Sequence, residues 1–400
     1  MRPVALARAA ASILAVVLVA GCAAGPSEEQ LRAEAQAELA AVQARAQAAR
    51  PPISLNSNVI QEAAVYLAYT RDMATLRGGF ESPQAIQQAL RRGAAYDARQ
   101  VSRGLIAYAA ILAMQSPEFV TGVQTFARDR TTRNAMVDRI VGNPASASTL
   151  PGADAAAGLI IATLEDDIRQ LREAADSVEN DAYAIQADGR TSWARVHVAD
   201  RESRLATVRS LSRPNLAPAD EAARLSAAVQ SGSGLGVTGT DRRRAAPYPQ
   251  SVENALALAA LALLDGAGEN ARANTDALMF ERQSLDCFES SKLNLFQCLA
   301  ASRPHYEDMF CLGRHVVRDL GQCARGTVLP AGQVTVGAPS QSRAATAPRP
   351  TVEQPATRPA ATLPAPATLS PPAQQAPSQT QSPSLSATQR LNSGIAAPES

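Results

Sequence analysis

Four cysteines, Cys287, Cys298, Cys311 and Cys323, fall within one short segment toward the C-terminal end of the chain. Such a group offers three chemistries: disulfide bonds, a structural metal, or dithiol redox work. Cys287 and Cys298 stand eleven residues apart, about three helical turns, which puts them on one face roughly 16 Å from each other. Cys311 and Cys323 stand twelve apart on a second helical stretch, after a break at Ser302-Arg303-Pro304. Folding the two stretches antiparallel brings Cys298 to Cys311 at the turn and Cys287 to Cys323 at the open end, one of the three connectivities that four cysteines allow. The extra residue in the second interval needs an adjustment, which Gly321 is expected to supply by ending the second helix. Bridges of this kind contribute roughly 2 to 4 kcal/mol each, a structural role. Zinc is the rival, since Cys311 and His315 stand four apart with His305 close by. Structural zinc takes cysteines in pairs a few residues apart, and no such pair exists here; nor does the Cys-x-x-Cys of a redox catalyst. No metal and no cofactor is expected.

Other chemistry is weakly represented. The chain has three histidines, none three residues after a glutamate, which excludes the carboxylate-bridged di-iron sites of helical bundles. The zinc-protease helix motif is absent as well. His197, in Trp193-Ala194-Arg195-Val196-His197, reads as structural. Three Glu-Ser pairs occur, Glu81-Ser82, Glu202-Ser203 and Glu289-Ser290. None is followed by the Gly-Leu-Met-Gln pattern that marks helical lytic transglycosylases, and Glu81-Ser82 is better explained as a helix entrance. The spacing of Gly232, Gly234 and Gly236 lacks the preceding strand that a phosphate-binding loop needs. Glu165-Asp166-Asp167 reads as a solvated helix face, because successive helical carboxylates point in different directions. Asp241-Arg242-Arg243-Arg244 reads as a solvated loop.

The elements that must position these residues are helical throughout. Residues 27–50 are strong helix formers with a thin, mostly alanine apolar stripe, a spacer that Pro51-Pro52 ends. Asn58 with Gln61 is expected to cap the next helix, and Gly78-Gly79 to stop it. Ser82-Pro83 and Ser116-Pro117 each open another, with a cap residue followed by proline at the first helical position. Leu105 to Met114 is apolar on nearly every side, as in the middle of a bundle. Residues 154–187 carry Leu164, Ile168, Leu171, Ala175, Val178, Ala182 and Ile185 spaced alternately by four and three. This is a heptad seam, too short for a free coiled-coil dimer and expected to pack within the chain. Residues 231–250 are rich in glycine and proline and are expected to separate two lobes. After Pro330 the composition turns to Pro, Ala, Gln, Ser and Thr, which cannot bury enough surface to offset the entropy of ordering.

Charge is nearly balanced, with 38 basic and 37 acidic residues, so nucleic acid is not an expected partner. Lys292 is the one lysine among those basic residues. Arginine elsewhere reflects composition and is not a sign of phosphate binding.

At the start, Arg2 and Arg8 precede an apolar run over residues 9–20, the layout of a signal peptide and too short for a membrane span. Val19-Ala20-Gly21-Cys22 resembles the lipobox of bacterial lipoprotein precursors. The resemblance covers the export segment only. It implies a diacylglyceryl thioether on Cys22, cleavage before it, and acylation of the new amino group. Ala23 stands where inner-membrane retention shows Asp, which favours the outer membrane.

The resulting reading is an all-α protein: a multi-helix bundle in two lobes with a C-terminal disulfide-bonded helical hairpin and a disordered Pro/Ala/Gln-rich tail. Its parts are a signal peptide (1–21), a lipid-anchored spacer helix (22–52), a helical domain (53–230), a linker (231–250), a four-cysteine helical region (251–329) and the tail (330–400). The expected role is a non-catalytic structural, scaffolding or assembly one at the outer membrane, facing the periplasm. Its expected partners are the membrane through the lipid, a protein of the envelope, and peptidoglycan. The alternative is a cell-wall-acting enzyme or a periplasmic ligand-binding protein.

Overall fold

Local signals set most of the helix boundaries. A computed structural model of the chain describes residues 28–48, 53–188, 191–237 and 242–329. The export segment, Cys22 and the tail from 330 lie outside them. In chain order the helices are α1 (Glu28–Ala48), α2 (Ser57–Ala74), α3 (Pro83–Ala94), α4 (Ala98–Ala113), α5 (Pro117–Ala127), α6 (Arg130–Gly142), α7 (Ala153–Ala187), α8 (Arg201–Leu211), α9 (Ala219–Ser231), α10 (Gln250–Leu263), α11 (Arg272–Leu278), α12 (Arg282–Ala301), α13 (His305–Leu312) and α14 (Asp319–Val328). A π-helical turn, Gly313–Arg318, joins the last two without a break. The protein is all-α, with no strand among the described residues. None of the described helices is long and apolar enough to cross a membrane.

Ser82 accepts a hydrogen bond from the Ala85 amide ahead of Pro83, as its spacing predicts. Ser116 precedes Pro117 at the start of α5, but its side chain makes no capping hydrogen bond. At α2 the cap is Asn56 and not Asn58. Asn56 accepts from the Val59 amide while its Nδ2 donates to the Ala267 carbonyl and to Thr275 Oγ1. Asn58 donates instead to Asp276. Either asparagine satisfies the local rule, and contacts with the chain two hundred residues on select the first.

The core forms where α4 crosses α2 and α10. From Leu105 to Met114 every side chain of α4 is buried, and from Ala255 to Leu264 every one of α10. Alanine makes up four of the ten residues in the first stretch and five of the ten in the second, and these small side chains let the helices come close. Gly104 marks the tightest point: a Cβ there would stand 2.4 Å from the Glu62 carbonyl oxygen and 2.6 Å from Tyr66 Cβ.

The seam of α7 is filled from within the chain. Gly313 lies against Glu179, and Gly321 against Leu171, so the α13–π–α14 arm runs antiparallel to α7. Leu164, Leu171, Ala175, Val178, Ala182 and Ile185 are buried there.

The 231–250 segment does not separate two cores. Because α10 packs directly on α4, buried side chains from both sides of the segment form one contiguous cluster, and every described residue belongs to one unit, Met1–Val336. The arginine run is exposed, as expected, at Arg242 and Arg243, but it is not without partners. Arg243 pairs with Glu118 at 2.5 Å and Asp154 at 3.0 Å, holding the segment onto α5 and α7. On α1, every position from Glu29 to Glu38 is exposed.

Gly104→Ala is expected to force α2 and α4 apart and to lower stability by about 1 to 3 kcal/mol, read from urea midpoints. An unchanged midpoint would show that the crossing can relax at no cost.

Candidate functional site

Both ends of the cysteine hairpin are closed. Cys287 is bonded to Cys323 with Cα atoms 5.6 Å apart, and Cys298 to Cys311 with Cα atoms 5.7 Å apart. Gly321 does not end the second arm, which stays helical to Val328. The adjustment lies earlier. Eleven residues rotate an α-helix to within roughly 20° of whole turns, whereas twelve overshoot by roughly 120°. The π turn between Cys311 and Cys323 absorbs about one extra residue through its wider i→i+5 bonding and returns Cys323 to the face of Cys311. Gly313 opens that turn where a Cβ would stand 2.9 Å from Glu179 Cγ. Arg318 closes it onto α7, with ion pairs to Glu179 and Asp176, each at 2.6 Å. Since all four cysteines are oxidised, none offers a thiolate to zinc.

Beneath the turn of the hairpin lies a buried ion pair. Arg204 on α8 meets Asp308 on α13 at 2.5 Å, with side chains 4% and 0% exposed. Asp308 also accepts from Ser302 Oγ and Gln87 Nε2, both at 2.7 Å. Arg204 further donates to the Leu299 carbonyl, and Arg201 to the carbonyls of Ala300 and Ser302. The two arginines thus satisfy the carbonyls that α12 leaves open at its C-terminal end, where its dipole favours positive charge. His305 is buried beside this cluster, and loss of solvent holds its imidazole below the usual range.

Lys292 occupies a comparable position at another helix end. It projects from α12 and donates to the Ala94 carbonyl at 2.8 Å, the last residue of α3. Its Nζ stands 3.2 Å from the centre of the Tyr96 ring. Burial pushes its pKa down to about 7, against the opposing charge of Asp97. The side chain forms part of the wall of an open cleft of about 570 Å³, with Tyr96, Asp97, Arg99, Pro214, Leu293 and Phe296 around it.

Asp167 is a second ionisable group at a surface depression, half-buried there. Asp166 is exposed and pairs with Arg169, as expected of a solvated face, but Asp167 turns toward α2. There it joins Thr70, Arg71, Thr75, Arg77 and Gln170 around a hollow of about 480 Å³. Its Oδ2 is buried with no hydrogen-bond partner among the described residues. Burial raises its pKa to about 6, with Arg71 opposing and Asp166 reinforcing. The expectation of a solvated Glu165-Asp166-Asp167 cluster therefore fails at its third member, because α7 rotates that position onto a neighbour.

His197 lies in a polar depression with Arg195, Arg303, Tyr306 and Glu307. Its segment pairs with the hairpin turn, where the Val198 amide donates to the Arg303 carbonyl and the His305 amide to the Val196 carbonyl. Cys22 lies outside the described residues. Sequence reasoning singled out the cysteines but passed over Lys292 and Asp167 as sites. For Lys292 a signal existed: a lone lysine in a chain that otherwise uses arginine. For Asp167 no local signal distinguishes it from its two acidic neighbours. No protein-family model, curated protein or solved structure matches the chain.

Two stability measurements test this geometry. Asp308→Asn leaves Arg204 buried without a counter-charge and is expected to cost about 3 to 5 kcal/mol in urea unfolding. Arg204→Met combined with Asp308→Leu is expected to restore most of it; a double variant as unstable as the single would assign the loss to the Gln87 and Ser302 hydrogen bonds. For Asp167, the folded pKa lies above the unfolded one, so its carboxyl destabilises only when ionised. The cost is absent below the ordinary 3.8, grows as pH rises, and is complete above about 6. Asp167→Asn is thus expected to stabilise by on the order of 2 kcal/mol near neutral pH and by nothing in acid. An equal effect at both would mean that the gain is one of packing.

Proposed function

We propose that this chain is an exported bacterial lipoprotein, anchored through lipid on Cys22 to the outer membrane and facing the periplasm, whose helical body is a non-catalytic scaffold for another envelope protein. The observation that carries the reading is the doubly bridged hairpin. Cys311 and Cys323 are buried, at 0% and 2% exposure, and both bridges join helix to helix. Paired disulfides persist in oxidising compartments and are rare where thiols are kept reduced. The hairpin and the lipobox therefore argue for export from opposite ends of the chain.

The remaining architecture suits that location. A spacer of 21 residues, exposed along its first half, extends about 30 Å and would hold the body away from the lipid surface. The body is pinned by covalent bonds, a buried ion pair and an occupied heptad seam, which favour a fixed shape of the kind an assembly partner can dock on. The Pro- and Gln-rich residues from 330 would reach toward peptidoglycan.

The test is the mass of the N-terminal peptide of the protein isolated from its native envelope, coupled to crosslinking before extraction. The expected peptide begins at Cys22 and carries diacylglyceryl and acyl groups, and Cys22→Ser abolishes both lipid and processing. An intact leader or a bare thiol would remove the lipoprotein reading. Crosslinking to one defined envelope protein is the result expected of a scaffold, and a chain that crosslinks to none would remove that role.

A further inference from the structure

The cleft beside Lys292 combines three features that a capping role alone does not require. Every other basic residue of this chain is arginine, and arginines already cap the end of α12 through Arg201 and Arg204. At α3 the same task falls to the one lysine. Guanidinium cannot lose its proton in a protein, whereas a buried ammonium can. The partners of Lys292 Nζ are also neutral: a backbone carbonyl and the face of Tyr96. No carboxylate stands within ion-pair distance of it among the described residues. Asp97, Arg99 and Glu289 are the charged groups of the cleft, and Asp97 is engaged in capping α4 through the Gln100 amide. Finally, the Lys292 side chain lines an open cleft whose walls are part apolar and part charged. Leu293 is 54% exposed and lines the cleft with Phe296 and Pro214.

We propose that this cleft is a binding site for a small aldehyde or ketone with an apolar body, which Lys292 captures as an imine. The lone pair on Nζ attacks the carbonyl carbon, forming the C–N bond as the C=O π pair moves to oxygen. The resulting carbinolamine loses that oxygen together with both hydrogens of the amine as water, leaving C=N. No oxidant or reductant is consumed, and hydrolysis releases the ligand. Desolvation supplies what the first step needs, a neutral amine near neutral pH. Leu293 and Phe296 offer contact to the ligand's apolar body, and Arg99 to an anionic substituent. The site does not depend on export or lipidation, and it stands or falls separately from the scaffold reading.

The experiment uses the full chain with both disulfides intact, benzaldehyde as the carbonyl, and cyanoborohydride to trap the imine as a stable benzylamine. Because the chain has one lysine, peptide mapping reads the site directly and separates it from the α-amine. The expected result is one adduct per chain on Lys292, saturable in aldehyde, with a yield that rises with pH through about 7, where the amine loses its proton. At neutral pH the folded chain should react at least tenfold faster than the chain unfolded in urea, whose lysine titrates near 10.5. Lys292→Arg should give no adduct at this peptide. A folded chain that stays unlabelled while the unfolded chain is labelled at high pH would overturn the proposal and leave Lys292 as a buried cap of α3. This comparison needs no variant to fold.

Discussion

Antiparallel closure of two helical arms with unequal cysteine intervals is the constraint around which the described structure is organised. One arm repeats its cysteine after eleven residues and the other after twelve, and two regular α-helices cannot satisfy both bridges. The π turn at Gly313–Arg318 resolves the mismatch, and its consequences spread. It needs a residue without Cβ where the arm meets Glu179, and it presents Arg318 to the two acids of α7. It also keeps the second arm continuous, so that α14 can lie along the lower part of the heptad seam. A helix that stopped at Gly321 would have left that part of the seam uncovered.

The turn of the hairpin is held by a buried ion pair as well as by the Cys298–Cys311 bridge and the buried side chains of Leu299, Met309 and Leu312. Asp308 is fully buried and would be costly alone; Arg204, Ser302 and Gln87 together satisfy its oxygens. A pair of this sort adds little net stability over a well-packed apolar equivalent, but it penalises any arrangement that separates its members. It therefore specifies how α8, α3 and the hairpin meet. Cations at helix C-termini recur as a device: Arg201 and Arg204 serve α12, and Lys292 serves α3. The last differs in chemistry because its environment disfavours the charged form.

The buried ionisable groups lie on both sides of the molecule's constraints. Asp308 is matched by partners, whereas Asp167 and Lys292 line the edges of open hollows with no ion pair among the described residues. Structural polar groups in a folded core are matched; groups left desolvated beside solvent are where perturbed protonation and binding coincide. In this chain the cysteine hairpin carries one of these hollows on its own first arm, so the element that rigidifies the body also shapes the cleft of Lys292.

What the amino-acid sequence determined by itself was whatever depends on spacing along the chain. Ser82-Pro83 and Ser116-Pro117 open helices because proline tolerates only the first turn. Leu105–Met114 is interior because it has no polar face, and the break at Ser302-Arg303-Pro304 between two cysteine-bearing helical stretches points to antiparallel arms with nested bridges, one of three connectivities. The tertiary structure decided what depends on neighbours distant in sequence. Asn56 rather than Asn58 caps α2 because Ala267 and Thr275 hold it there. One core forms instead of two lobes because α10 finds α4, and the extra residue is taken up by a π turn because α7 lies alongside. Asp167 and Lys292 share their residue types with solvated groups, and only the atoms packed around them remove the water that would have kept their pKa values ordinary. Periodicity tells which face of a helix is buried; it carries no information on what will cover it.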